Sequence, residues 1–453
     1  MGVDKPLVKL LDTVVAALKN FSAASLFVGL TLLSVLARAD NAPRIYSGDI
    51  WNRTTLTGDW GGARNELAAK GVTADLDVTQ IEQGVVSGGK ERNWEYGGHG
   101  ALTVNFDSGK LGLWSGTLLT LALEGNFSNS VNNDTGAVMP VNSLQTYPFP
   151  NGDNLNLSEL AITQSISNQI GLVFGKILPT YDANEFAAGI GDTQFFNLAL
   201  TSNPVTSMVT PYSTLGAVLN VAPTTDANEV FVNFSIIQTN GNSKTSGFDD
   251  LSAGKLTFMG EGRVRTNIFG LTGHQDLGVE YSNQTFTSLG QNVRFIGVTG
   301  TFAAKDGSWD AWYNFDQYLY EQGSGRGIGL FGRLGISDGN PNPIQYFYSL
   351  GVGGKGVLRG RPNDEFGLGY YYIKISNITL QGQLANGTIV NRSLFRNEYG
   401  FEAYYKIAVT PWMLLTPDLQ IIRPAQKQQV VSPFGLQGIN TARVFGVRLQ
   451  LLF

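Results

Sequence analysis

ARVFGVRLQLLF, residues Ala442–Phe453, places Phe445, Val447, Leu449, Leu451 and Phe453 on every second position, with Val444, Gly446, Arg448, Gln450 and Leu452 between them. A two-residue period belongs to a strand whose two faces meet different surroundings. One face is apolar to the last residue and the other carries an arginine. The terminal aromatic matters as well, because a barrel strand that ends at a membrane interface finishes where aromatic girdles sit. The stretch therefore reads as the strand that closes a transmembrane β-barrel.

The same alternation recurs upstream. In VTADLDVTQ, Val72, Ala74, Leu76 and Val78 alternate with Thr73, Asp75, Asp77 and Thr79, which makes this the first strand. Leu102, Val104 and Phe106 form one such face, Leu119, Leu121 and Leu123 another, and Val230, Val232, Phe234 and Ile236 a third. In GEGRVRTNI, Glu261, Arg263, Arg265 and Asn267 oppose Val264 and Ile268, and Glu398, Glu402, Tyr404 and Lys406 oppose Tyr399, Phe401, Tyr405 and Ile407. Faces this charged are too costly to bury unpaired in a dry core and suit a watery lumen. Residues 72–453, at about 10 per strand plus turns and outer loops, allow between about 14 and 18 strands, and about 16 leaves an aqueous channel. The fold class is thus all-β: one transmembrane antiparallel barrel domain over 72–453. The irregular stretches Ser128–Asn154, Leu178–Pro211, Thr239–Lys255 and Asn377–Arg396 are expected to be outer or infolded loops.

Composition agrees. Among 453 residues, 56 are glycine and only 15% are charged, which suits tight turns and a lipid-facing wall rather than a disordered chain. With no cysteine, thiol catalysis, disulfides and Cys-ligated metals are excluded. A net charge of −5 argues against a nucleic-acid partner. Residues 1–39 read as an export signal: Lys5, Lys9 and Lys19, an apolar run Phe21–Leu36, then Ala37-Arg38-Ala39 as cleavage site. Residues 40–71 form an N-terminal segment in which Arg64–Lys70 makes a short helix with Leu67 and Ala68 inward and Gly71 at its C-terminal end.

Several segments together resemble the carbohydrate-selective porins of the OprB type. They are LTGDWGGARNELAAKGVTADLDVT (Leu56–Thr79), GKILPTYDANEF (Gly175–Phe186), FFNLALTSNP (Phe195–Pro204), GLFGRLGISDGNPNP (Gly329–Pro343), GRPNDEFGLGYY (Gly360–Tyr371), NEYGFEAYYKIAVTPWMLLTPDLQIIRP (Asn397–Pro424) and the closing VFGVRLQLLF. The resemblance implies an outer-membrane barrel of 16 strands, a sugar channel whose inward-folded constriction is lined partly by arginine and acidic side chains.

The chemistry read from the residues points to binding rather than catalysis. The chain has two histidines, His99 and His274, and no G-x-S-x-G nucleophile motif, so neither an activated nucleophile nor a cofactor is expected. The acidic pairs Asp75/Asp77, Asp249/Asp250 and Asp364/Glu365 read as solvated charges rather than a metal centre. Sugar hydroxyls are matched by charged and amide groups and sugar C–H faces by aromatic rings. The lumen candidates are Arg263, Arg265, Arg333, Glu398, Glu402, Lys406, Arg448, Asp75, Asp77 and Glu124, with Trp312, Tyr318 and Tyr404 as stacking rings. Arg263 and Arg265 lead, as two guanidinium forks one lumen step apart. Leu178–Pro211 is the expected constriction loop, through Asp182, Asn184, Glu185, Asp192, Gln194 and Asn197, with Phe186, Phe195 and Phe196 among them. Trp412, Tyr371 and Tyr372 are assigned to interface girdles. The expected function is facilitated diffusion of glucose-type sugars across an outer membrane, with a general non-selective porin as the alternative and an outer-membrane hydrolase a weaker one. The partners are the sugar and the outer-membrane lipid; monomer versus homo-oligomer is left open.

Overall fold

The computed structural model describes residues 44–148, 155–179, 183–224, 226, 228–248, 251–252, 254–292, 301–323, 325–376, 380–383, 389–392, 395–432 and 435–453. The expected export signal (residues 1–39), Asp182 and Asp249/Asp250 lie outside the described residues. The first half of the barrel is β1 (Val72–Gly89), β2 (Trp94–Asp107), β3 (Thr117–Ser128), β4 (Asn156–Ser165), β5 (Ile170–Ile177), β6 (Thr214–Val221), β7 (Val230–Gln238) and β8 (Leu256–Ile268). The second half is β9 (Leu271–Thr287), β11 (Ala304–Gly323), β12 (Arg326–Ser337), β13 (Ile344–Lys355), β14 (Glu365–Ile375), β17 (Glu398–Thr410), β18 (Met413–Arg423) and β21 (Asn440–Leu452). These 16 strands close into one barrel, each antiparallel to its neighbours, and β21 pairs with β1 from Asp77 opposite Leu452 upward. Short extra strands decorate the long-loop rim: β10 (Gln291–Asn292) with β15 (Leu380–Gln383) and β16 (Ile389–Arg392), and β19 (Gln428–Ser432) with β20 (Gly435–Gly438).

The closing strand shows why the chain folds this way. Phe445 is 41% exposed on the outer wall, whereas its neighbours Val444 and Arg448 are 0% and 1% exposed on the inner one. The rest of the wall repeats the pattern, with Leu277, Val279 and Tyr281 of β9, Leu334 and Ile336 of β12, and Leu419 and Ile421 of β18 all exposed outward. An apolar face of this extent is stable only against lipid, and closure leaves no unpaired edge in the bilayer. Both described ends of the chain lie at one rim, whose connections are short; this rim is the periplasmic one.

The packed core lies inside the barrel. The described part of the loop 178–213 folds into the lumen, where Phe186, Phe195, Leu198 and Leu200 pack against Phe331, Phe347, Tyr371, Ile373 and Tyr404 of the wall. It carries α3 (Leu198–Thr201), while the other infolded loop, 129–155, carries α2 (Asn132–Thr135). Inward glycines make the seat: a Cβ on Gly353 would stand 2.6 Å from Phe186 Cβ, and one on Gly367 would stand 2.6 Å from Phe195 Cζ.

Two local expectations are corrected. The helix α1 spans Ala63–Ala69, with Gly71 just beyond it at φ +95°, but its buried residue is Arg64 and Leu67 is 43% exposed. The reason is electrostatic. Arg64 donates to Asp75 (2.9 Å) and to the Phe453 carbonyl (3.0 Å), and its guanidinium lies 4.0 Å from the centre of the Tyr46 ring. Tyr371 belongs to no girdle: it is 1% exposed and faces the lumen, donating to Glu398 (3.2 Å), because the odd residues of β14 point inward. Tyr372 does lie on the outer face, stacked on Tyr348, and Trp412 holds the N-terminal segment by donating to the Ile50 carbonyl (2.7 Å).

Candidate functional site: a charged throat beneath an infolded loop

Where β13 ends and β14 begins, Lys355 stands opposite Glu365, and Glu365 stands opposite Lys406 of β17. These three inward residues form a cation–anion–cation row. Glu365 Oε1 accepts from Lys406 Nζ at 2.9 Å and Lys355 Nζ at 3.3 Å, and its Oε2 accepts from Gln194 Nε2 of the infolded loop at 3.4 Å. Arg263 of β8 and His274 of β9 line the same cavity, with Asn184, Glu185 and Gln194 of the loop and the Tyr318 and Tyr404 rings. The cavity holds about 230 Å³. Its lining brings charged and amide groups together with the edges of two nearly buried tyrosines, a combination that pairs with sugar hydroxyls without a covalent step.

Most of these groups are held in place. His274 Nδ1 lies 2.7 Å from Asp316 Oδ1, and the other oxygen of Asp316 accepts from the Glu185 backbone N–H at 3.2 Å. Tyr318 donates to Glu185 at 2.7 Å. Burial pushes the Glu185 carboxyl above its ordinary value; the Tyr318 hydrogen bond opposes this and the nearby Asp316 charge adds to it. Glu185 thus takes up a proton more readily than a solvated glutamate. The Arg263 side chain makes no hydrogen bond or ion pair with the described residues and is the throat cation left free for a solute.

Other candidates do different work. Arg333 is fully buried and donates to the carbonyls of Ala187 (2.6 Å), Leu200 (2.8 Å) and Thr201 (3.4 Å). Arg448 donates to the carbonyls of Gly191, Thr193 (2.9 Å) and Gln194 (3.0 Å), and its guanidinium lies 4.3 Å from the centre of the Phe196 ring. Glu402 accepts from the backbone N–H groups of Phe196 and Asn197 (2.9 Å), and Glu398 from those of Val138 (2.7 Å), Met139 (3.1 Å) and Ala425 (2.9 Å). Glu124 accepts from the Tyr212 hydroxyl at 2.7 Å. Arg333, Arg448, Glu398 and Glu402 thus satisfy loop backbone groups, the condition for holding irregular chain inside a barrel.

The remaining candidates are dispersed. Arg265 turns away from Arg263 to Asp226 (3.2 Å) and Glu229 (3.7 Å) of the β6–β7 turn, so the two guanidiniums are not brought together. Asp75 and Asp77 pair with Arg44 at 3.6 Å and 3.5 Å and fasten the N-terminal segment. Asp192 accepts from the Ile190 N–H (3.1 Å), while Asn197 caps α3 and donates to Gln420 (3.1 Å). Trp312 is buried against Gly278 rather than open to the cavity. Sequence reading missed Lys355, Glu365 and His274 as throat residues and Lys176 as the clamp of loop 239–255, whose Asn242 and Ser243 carbonyls it meets at 3.0 Å and 3.3 Å. Lys355 was accessible: in GVGGK it continues the inward register of Gly351 and Gly353.

A closed 16-strand barrel with a lipid-facing wall, a polar lumen and an infolded loop defines an outer-membrane diffusion channel. The sequence profile of the carbohydrate-selective porin, OprB family matches residues 91–453, and the chain belongs to that family. It is a channel for carbohydrates, not an enzyme. Porin B of Pseudomonas aeruginosa is 26% identical over 432 residues, covering 89% of this chain and 92% of that protein. The putative porin QuiX of Acinetobacter baylyi is 22% identical over 445 residues, covering 90% and 95% respectively. The high-pH structure of Pseudomonas putida OprB superposes with a TM-score of 0.74 at 23% identity, covering 90% of this chain and 100% of that one, which shows the shared fold.

Proposed function

We propose that glucose-type sugars pass through this channel by way of the cavity between the infolded loop and the wall, with Arg263, Lys355, Glu365, Lys406 and Glu185 as the groups that exchange water for sugar hydroxyls. The observation that carries the reading is the free Arg263 fork facing the Lys355–Glu365–Lys406 row across one cavity. Apart from Arg263, the donors and acceptors a passing sugar meets are fixed by the protein, so ordering them costs little. Each contact is modest, about 1 kcal/mol net, which attracts without trapping. Arg333, Arg448, Glu398, Glu402 and Glu124 act one step removed, as positioning residues that set the loop. The chain is exported by a signal cleaved after Ala39, and residues 72–453 act as a single domain.

Removing the free guanidinium tests this. In planar bilayers, glucose should reduce the ion current of the wild-type pore, and Arg263→Ala should need about fivefold more glucose for the same reduction, the equivalent of about 1 kcal/mol. An unchanged titration would take Arg263 out of the pathway.

A further inference from the structure

The outer face of five consecutive strands, β13, β14, β17, β18 and β21, presents Tyr346, Tyr348, Leu350, Tyr372, Phe401, Leu419, Ile421 and Phe445 to the surroundings and carries no aspartate or glutamate. Near the long-loop rim this apolar wall ends in three cations: Lys374 of β14, Arg423 of β18 and Arg443 of β21. They are close neighbours. Lys374 stands opposite Tyr346, Arg423 opposite Tyr399, and Arg443 opposite Ile421. With strands about 4.8 Å apart and outward residues about 6.7 Å apart along each strand, the set spans roughly 20 Å. None of the three pairs with a carboxylate among the described residues. Arg423 instead leans on the Tyr399 ring, 5.6 Å from its centre.

Three outward cations with no carboxylate partner among the described residues, at the end of a bilayer-facing wall, call for an anionic headgroup at that depth. The aromatic shelf below them fits the acyl chains and sugar ring of the same molecule: Tyr348 and Tyr372 stack at 5.3 Å, and Tyr370 meets Phe401 at 4.7 Å. The rim is the one opposite the chain ends and the short turns, so it meets the outer leaflet. We infer that Lys374, Arg423 and Arg443 form a binding site for a phosphorylated glycolipid of the outer leaflet, with the phosphates on the three cations and the acyl chains along the tyrosine shelf. The site is outside the lumen and independent of the sugar pathway.

The test uses the full mature protein in detergent, titrated with bisphosphorylated lipid A and followed by native mass spectrometry. Bound lipid should be retained by the wild type and lost when the lipid A is dephosphorylated. The triple variant K374Q/R423Q/R443Q should bind roughly 100-fold more weakly, about fivefold for each cation. R443Q alone, at an exposed position, should weaken binding about fivefold, and R423K/R443K should keep most of it. Sugar permeation should not change in any of these. Equal binding of dephosphorylated lipid A, equal binding of phosphatidylglycerol, or wild-type binding by the triple variant would each overturn the assignment.

Discussion

Replacing Arg448 or Arg333 with alanine is expected to convert the narrow pore into a wide one. Each guanidinium is buried and holds three loop carbonyls, Gly191, Thr193 and Gln194 for Arg448 and Ala187, Leu200 and Thr201 for Arg333. Truncation leaves three buried acceptors without donors, at about 1–3 kcal/mol each. The loop has an alternative the wall does not: it can leave the lumen and hydrate. The loss should therefore appear as loop release rather than barrel unfolding. Single-channel conductance should rise several-fold and sugar block should vanish, while β-content by circular dichroism stays that of the wild type. The effect should exceed that of Arg263→Ala, because Arg263 is proposed only to touch the solute whereas these two seat the loop. Wild-type conductance in Arg448→Ala and Arg333→Ala would show that the loop is seated by its apolar contacts alone.

Filling the seat should give the same outcome by a different force. Gly353 and Gly367 face the lumen where Phe186 and Phe195 of the loop come to rest, and a Cβ at either would stand 2.6 Å from a loop carbon. Valine suits a strand; at Gly353 the nearest atoms all belong to Phe186 of the loop, whereas at Gly367 the wall's own Tyr404 Cε1 lies 2.5 Å away, so Gly353→Val is the cleaner test. The phenylalanine must move, and overpacking of this kind costs about 1–3 kcal/mol. Gly353→Val and Gly367→Val should therefore raise conductance and make the loop accessible to protease near Phe186 and Phe195. Alanine at the same sites should do so more weakly. A valine variant with wild-type conductance and wild-type protection would mean that the loop is not held against these strands.

How much of this was legible in the sequence depended on the range of the interaction involved. Strand identity comes from two-residue alternation, so Phe445 outward and Arg448 inward followed directly, and the inner and outer faces of β8 and β17 were read from their charges. The loop boundaries were also visible: Leu178–Pro211 differs by two residues from the observed 178–213. What alternation cannot say is whether an inward charge meets water or another part of the chain. Glu398, Glu402, Arg333 and Arg448 all read as lumen charges, and they do point inward, but the infolded loops cover them and all four bond backbone groups more than 130 residues away. Arg263 and Arg265 have identical local patterns, yet Asp226 and Glu229 claim only the second. Tyr371 and Tyr372 are adjacent, so period two puts one on each face, and assigning both to a girdle ignored that. Leu67 looked like the buried residue of α1 because it is apolar, but a chain end and Asp75 nearby made Arg64 the better anchor.

The central claim is that the infolded loop narrows the barrel to a charged throat that takes sugar in place of water. It is tested most directly by single-channel recording of the wild-type protein while glucose is added to one side. The current should be small and should fall in a saturable way as glucose rises, and an equal osmotic load of a solute without ring hydroxyls should leave it unchanged. A large current that ignores glucose would contradict the account.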